Sequence, residues 1–255
     1  MKLIAKKSFG QHFLHQQNVL QKIAQLVVQH PLKNILEIGP GKGALTKYLL
    51  HDQIQFKAVE ADRDMQDYLI NQKILNENQL IRDDVLKMDF ANLFDGEDFI
   101  LCGNFPYNIS SQILIKTLLN TDSIPLMVGM FQKEVVTRII SAHGNKDYGT
   151  LSVLTQLMYH GKKEFDIPPA AFTPPPKVMS SVLVLERRND HLDKVQFKKL
   201  QSLVRTAFQF RRKTLRNNLK TRVSDPLLLS DLYYDQRPEA ISPQDYKDMI
   251  LNKKI

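Results

Sequence analysis

The sequence predicts an α/β protein, an open sheet with interleaved helices, closed by a small all-helical tail. Three observations carry this reading. Apolar, β-prone runs at residues 34–38, 98–102 and 125–132 are each followed by a segment with helical spacing. The first runs straight into Gly39-Pro40-Gly41-Lys42-Gly43-Ala44, a strand-to-helix turn whose glycines let the backbone approach a ligand. From Val195 onward the pattern is helical, and the charge there is strongly basic.

The chain has 255 residues and a formal charge of +8, enough length for one large domain and one small one. Residues 187–255 carry 16 Lys and Arg against 8 Asp and Glu, so the whole excess lies in that tail. Segregated positive charge points to a polyanionic partner. The boundary between a 1–186 domain and a 187–255 basic helical domain is drawn there. A single Cys excludes an internal disulfide framework and indicates a reducing, cytoplasmic setting, and the 7 His show no metal-ligand spacing with it. No metal is expected. No run of eighteen apolar residues is present, and residues 1–14 do not read as a signal peptide. No membrane association is expected.

The basic, aromatic opening Lys6-Lys7-Ser8-Phe9-Gly10-Gln11-His12-Phe13-Leu14 reads as an N-terminal arm, followed by a helix over residues 18–28 that Pro31 ends. Gly39, Gly41 and Ala44 then satisfy a dinucleotide fingerprint, and Glu60 ends the next strand, where it can accept from ribose hydroxyls. The fingerprint does not separate NAD from S-adenosylmethionine. Asp83-Asp84 follows a third short strand, and a carboxylate there can accept from an adenine amine.

Cys102-Gly103-Asn104-Phe105-Pro106-Tyr107 is the stretch around which the chain is organised. An amide, a rigid proline and an aromatic ring emerge together at the carboxyl end of a strand, where open α/β sheets bind ligands. Asn104 offers an acceptor for an N–H of a planar base, carbonyls beside Pro106 offer a second, and Tyr107 offers a stacking face. Residues 141–149 form a polar, Gly-bearing loop that reads either as a mobile segment over the site or as an ordinary surface connection. The stiff run Phe172-Thr173-Pro174-Pro175-Pro176-Lys177-Val178 joins two strands, and it is expected to hold Phe172 as the opposite wall of a base sandwich with Tyr107. In the tail, Leu200, Val204, Phe208, Leu215 and Leu219 share one helical face. Arg205, Arg212, Arg216 and Lys220 form a neighbouring stripe to which Arg211 and Lys213 add, with a break near Gln209 allowed for. Phosphate contact is the expected role.

With these motifs in place the chain resembles, end to end, the KsgA family of ribosomal RNA adenine dimethyltransferases, relatives of the Erm methylases. The likeness runs from Phe9-Gly10-Gln11-His12-Phe13-Leu14 through Glu37-Ile38-Gly39-Pro40-Gly41-Lys42-Gly43, Val59-Glu60-Ala61-Asp62, Asp84-Val85 and Asn104-Phe105-Pro106-Tyr107-Asn108-Ile109-Ser110. It continues through the triple-proline run to Phe210-Arg211-Arg212-Lys213-Thr214-Leu215-Arg216 and Arg237-Pro238-Glu239. Many relatives have Asn where His12 stands and Leu where Phe105 stands.

The resemblance implies a class I (Rossmann-like) methyltransferase fold, a seven-stranded, mostly parallel sheet whose last strand is antiparallel. It implies S-adenosylmethionine contacts at Gln11, His12, Leu14, Gly39, Gly41, Glu60, Asp84, Val85 and Asn104. It also implies N6 dimethylation of two adjacent adenines in the 3′-terminal hairpin of 16S rRNA, within the immature 30S particle, by a monomer. Asn104, Pro106, Tyr107 and Phe172 would handle the acceptor base. The rival readings are an Erm-like 23S target, an NAD-dependent oxidoreductase, and an assembly factor whose binding outweighs its catalysis.

Overall fold

The computed structural model describes Lys6, residues 10–223 and residues 226–252. Lys7, Ser8 and Phe9 of the opening motif, and Asp225 of the tail, lie outside the described residues. The chain divides into two compact units: residues 1–136 with 162–186, and residues 137–161 with 187–255. Charge segregation alone predicts one boundary, between 186 and 187. The second unit also takes residues 137–161, a segment whose local pattern is indistinguishable from one more helix-strand step of the sheet.

The elements in chain order are β1 (Phe13–Leu14), α1 (Gln17–Val28), β2 (Asn34–Ile38), α2 (Thr46–Leu49), β3 (Gln55–Glu60), α3 (Arg63–Asn71), β4 (Leu80–Arg82), β5 (Ile100–Asn104), α4 (Ser110–Leu119) and β6 (Leu126–Gln132). They continue with α5 (Lys133–Ile140), α6 (Thr150–Met158), β7 (Tyr159–Ile167), β8 (Phe172–Thr173), β9 (Ser180–Arg187), α7 (Lys194–Ala207), α8 (Leu215–Leu219) and α9 (Pro243–Leu251). Seven strands form a mixed sheet in the order β4-β3-β2-β5-β6-β9-β7. The pairs from β4 through to β6 are parallel, and β9, the last strand in the chain, runs antiparallel to β6.

The central strands are apolar runs because both of their faces are covered. Every residue of β2 is buried, Glu37 among them. On one side α1 contributes Leu20, Ile23, Ala24 and Val27, the spacing of a single helical stripe. Gly129 in β6 serves as the seat of Phe105: a Cβ there would run into the Phe105 and Phe131 rings, which pack edge-on at 5.2 Å. Phe105 fills that hollow completely buried, and this fixes how the chain leaves β5.

In the second unit α6, α7 and α9 pack on one another. Asp193 caps α7 in a reciprocal arrangement with Gln196, and Ser242 does the same for α9 with Asp245. Two fully buried phenols are satisfied, Tyr148 donating to Ile241 O at 2.9 Å and Tyr246 to Pro238 O at 3.0 Å. The tail is not one continuous helix. α7 ends at Ala207 and helical structure resumes only at α8, capped by Thr214, so Arg205 and Arg216 are not members of one stripe.

Candidate functional site

A cavity of about 790 Å³ opens at the carboxyl ends of β2, β3, β4 and β5, within the first unit. Gln11, His12, Leu14, Gly39, Gly41, Glu60, Asp84, Val85 and Asn104 all line it, as do Pro106 and Tyr107.

The turn after β2 has Gly39, Gly41 and Gly43 at φ +67°, +55° and +73°, a left-handed backbone that suits glycine. It is braced from below by Glu60, whose two oxygens accept from Gly41 N at 3.1 Å and Asp62 N at 2.9 Å. Burial raises the Glu60 carboxyl pKa although these amides pull the other way. The Ala61 amide draws on the same carboxyl, which still has acceptor capacity left beyond these backbone groups. Phe13 rests directly on Gly41, at a distance of 3.2 Å from where a Cβ would stand, and Lys42 lies over the Phe13 ring at 4.6 Å.

Residues 10–15 cross the mouth of the cavity as an arm. Gln11 Nε2 donates to Asp62 at 2.9 Å, and Lys6 pairs with the same carboxylate at 2.6 Å. Burial pushes the Asp62 carboxyl up, but the Lys6 and Gln11 hydrogen bonds outweigh it and leave its pKa lowered. Further along, β1 pairs antiparallel with β8, Phe13 opposite Thr173 and Leu14 opposite Phe172.

That pairing corrects the expectation for Phe172. Successive side chains of a strand point to opposite faces, and here Thr173 takes the cavity side while Phe172 goes inward. Phe172 is 2% exposed, clustered with Leu14 and Ala171, and does not line the cavity. The ring that stacks on Tyr107 is instead His12, with centroids 5.6 Å apart and planes 29° apart. Its Nδ1 lies 2.7 Å from Pro174 O, and because a carbonyl only accepts, the proton sits on Nδ1.

Asn104 ends β5 and Pro106 follows at the cavity wall. Asn104 Nδ2 donates to the backbone carbonyl of His12 at 2.9 Å. The Tyr107 hydroxyl is hydrogen-bonded to Ser180 Oγ, at the start of β9. Burial raises the Tyr107 pKa, so the phenol stays neutral and free to donate. Ser180 escaped the sequence reading because its only signal is contact with a residue 73 positions away.

Two further supports were also missed. Glu37, named only within a motif, lines the cavity and accepts from Thr46 Oγ1 at 2.6 Å. Lys116 from α4 donates to Leu86 O at 3.2 Å and to Met88 O, pinning the loop that carries Asp84 and Val85.

In the second unit the basic residues divide. Arg211 donates to Lys146 O at 2.7 Å and Tyr148 O at 2.9 Å, and Arg216 pairs with Asp235 at 2.8 Å while donating to Leu229 O and Asp231 O. Both tie the unit's own loops together. The loop at residues 141–149 belongs to this unit, where Gly144 N donates to Glu239 O at 2.7 Å. Arg205, Arg212, Lys213 and Lys220 are exposed, and Lys213 lies over the half-exposed Phe210 ring at 4.9 Å. Among the described residues no group of three His, Cys, Asp or Glu could hold a metal, and no helix is long and apolar enough to cross a membrane.

The family model described as ribosomal RNA adenine dimethylase matches residues 3–230. The chain belongs to the ribosomal RNA adenine dimethylase family. It is 42% identical over 255 residues to a protein of Flavobacterium johnsoniae named ribosomal RNA small subunit methyltransferase A, covering 100% of this chain and 97% of that one. It is 44% identical over 248 residues to the protein of that name in Bacteroides fragilis, covering 96% and 91%. Among solved structures it resembles a dimethyladenosine transferase from Plasmodium falciparum, with a TM-score of 0.77, 25% identity, and 95% and 98% coverage. The 23S rRNA methyltransferase ErmE, with a TM-score of 0.62, 22% identity and coverage of 93% and 99%, shares the fold. The chain is a methyltransferase of the class I fold, and the oxidoreductase alternative falls with that assignment.

Proposed function

We propose that the protein uses S-adenosylmethionine to dimethylate N6 of two adjacent adenines in the 3′-terminal hairpin of 16S rRNA, acting in the cytoplasm as a monomer on the immature 30S particle. The observation that carries this reading is the pairing of an oriented amide, Asn104, with an anchored ring, Tyr107, in the same cavity as the glycine turn. The small-subunit names of the relatives support a 16S rather than a 23S target.

The cavity fits the cofactor. The glycine turn admits close approach, Glu60 has lone pairs to receive ribose hydroxyls, and Asp84 and Val85 stand where an adenine would be read. Its lining sets four carboxyls, Glu37, Glu60, Asp83 and Asp84, against two lysines, Lys42 and Lys47, a balance that suits a ligand carrying positive charge. When bound, the cofactor supplies an already activated methyl group, so no covalent nucleophile is needed from the protein.

The chain's own contribution is orientation. An adenine amine is a poor nucleophile because its lone pair is delocalised into the ring. Asn104 Oδ1, with a carbonyl from Phe105 or Pro106, accepts the N6 hydrogens and draws the nitrogen toward a tetrahedral shape. Pro106 O already takes the Ile109 N–H at 3.1 Å and keeps one lone pair. These contacts strengthen as charge develops on nitrogen, which favours the transition state over the ground state. The resulting cationic amine is acidic enough to lose its proton to water, so a neutral amide suffices at 104. A base entering the cavity shares Tyr107 with the His12 ring. Unstacking it from RNA costs a few kcal/mol, which that contact helps to offset.

Phosphate contacts fall to Arg205, Arg212, Lys213 and Lys220, with Phe210 offering a ring to an unpaired base. Mass spectrometry of 16S rRNA 3′ fragments tests the reading. Cells lacking the gene should carry two unmodified adenines there, restored by the natural chain and not by Asn104→Ala. Dimethylation that persists without the gene would refute it.

A further inference from the structure

Glu37 is a buried carboxyl that no cation among the described residues pairs with. It is 1% exposed, lines the cavity, and accepts from Thr46 Oγ1 of α2 at 2.6 Å. The titratable groups facing it are Glu60, from the end of β3, and Cys102, its register partner on β5. Neither can bring positive charge. Among the described residues no Lys or Arg pairs with it: on the cavity wall Lys42 lies over Phe13, and Lys47 is exposed to solvent.

Burial, aided by the Glu60 charge and opposed by Thr46, pushes the Glu37 carboxyl up to about 8. A lone carboxylate held out of water takes up a proton rather than remain unpaired. A cation brought into the same low-dielectric space reverses that preference, because the ionised form then gains its counter-charge.

We propose that Glu37 makes this cavity select a cationic nucleoside, holding a proton until a sulfonium- and ammonium-bearing ligand enters and then releasing that proton to solvent. The inference rests on the S-adenosylmethionine reading above and adds to it a proton exchanged for the ligand's charge. Glu37 is thereby a specificity-determining residue, favouring the charged cofactor over uncharged adenosyl compounds of similar shape.

Calorimetric titration of S-adenosylmethionine into the full-length protein, in buffers of different ionisation heat, counts the protons released. At about pH 7 close to one proton should leave per ligand bound, and affinity should rise about tenfold per pH unit below the Glu37 pKa. Uncharged methylthioadenosine should release none. In Glu37→Gln both the release and the pH slope should vanish. The infrared band of a protonated carboxyl, present in the unaltered protein, should fall on adding S-adenosylmethionine, a readout that needs no variant. Binding without proton release, the same release with methylthioadenosine, or an unchanged infrared band overturns the proposal and leaves the cofactor reading standing. Failure of S-adenosylmethionine to bind at all overturns that reading and the proposal with it.

Discussion

The side-chain amide of Asn104 is oriented by the backbone carbonyl of His12, 2.9 Å from Nδ2. A carbonyl only accepts, so the amino end of the amide must face it, which leaves Oδ1 available for the acceptor role proposed above.

Asn104→Ala should lower the rate of methyl transfer about 100-fold or more while leaving cofactor affinity within a few-fold. Asn104→Asp separates the two ends of the amide. A carboxylate would retain the acceptor but set negative charge against His12 O, so it should lose activity and loosen the arm. Single-turnover rates with calorimetry check both variants; equal losses of rate and cofactor affinity in Asn104→Ala would remove the acceptor role.

Ser180 positions Tyr107. Ser180→Ala leaves a partly buried phenol short of a partner, and should cost about 1 kcal/mol of stability and reduce turnover. Tyr107→Phe should retain more activity than Tyr107→Ala, since the ring face survives. In the double variant Tyr107→Phe with Ser180→Ala, the losses should be far from additive. Additive losses in melting and turnover would show the two side chains to act independently.

Gly129→Ala tests the seat beneath Phe105. The added methyl meets the Phe105 and Phe131 rings, and overpacking of this kind costs about 1–3 kcal/mol. Because Phe105 sits between Asn104 and Pro106, turnover should fall with the melting temperature although position 129 does not line the cavity. Wild-type turnover in a folded Gly129→Ala protein would separate the seat from the site.

Stability should decline toward both ends of the pH scale. Hydrogen bonding from Lys133 first, then Ser181, holds the Asp166 carboxyl at about 2. A carboxyl lowered in the fold stabilises above its ordinary value of 3.8, and that contribution drains as pH falls through about 2. Glu37 has the opposite sign. Raised by burial to about 8, it contributes fully below its ordinary 4.5 and loses that contribution as pH rises through about 8. Thermal melts across pH should show Asp166→Asn flattening the acid limb and Glu37→Gln the alkaline limb. Limbs unchanged in these variants would assign the dependence to other groups.

The basic tail should separate by variant. Arg212→Ala, Lys213→Ala and Lys220→Ala should weaken RNA binding and lower its salt slope by about one for each phosphate no longer neutralised, with little change in melting. Arg211→Ala and Arg216→Ala should instead lower the melting temperature, because their guanidiniums hold loops of the second unit. Equal effects on melting from both groups would erase the distinction.

What the sequence revealed is what is local. The strand at residues 34–38 has the observed bounds, and the glycine turn, Glu60 and the amide-aromatic stretch were legible because each is a short run with its own turn chemistry. What escaped it depends on partners far along the chain. Phe172 and Thr173 are equally plausible cavity residues until β1, about 160 positions earlier, sets which of them faces inward. Ser180 gains its role only from Tyr107, and residues 137–161 look like part of one more helix-strand step of the sheet until their packing with the tail helices is seen. Charge counts found the basic tail without telling its braces, Arg211 and Arg216, from its exposed cations.

The arm at residues 10–15 is fastened at Asp62 on one flank of the cavity and at Asn104 on the other. On the function proposed above, donor and acceptor would lodge behind a common wall, and the first to land would stiffen the rim for the second. Steady-state patterns should show synergy between the two substrates, and a bisubstrate inhibitor bridging both halves should outperform the product of its separate parts.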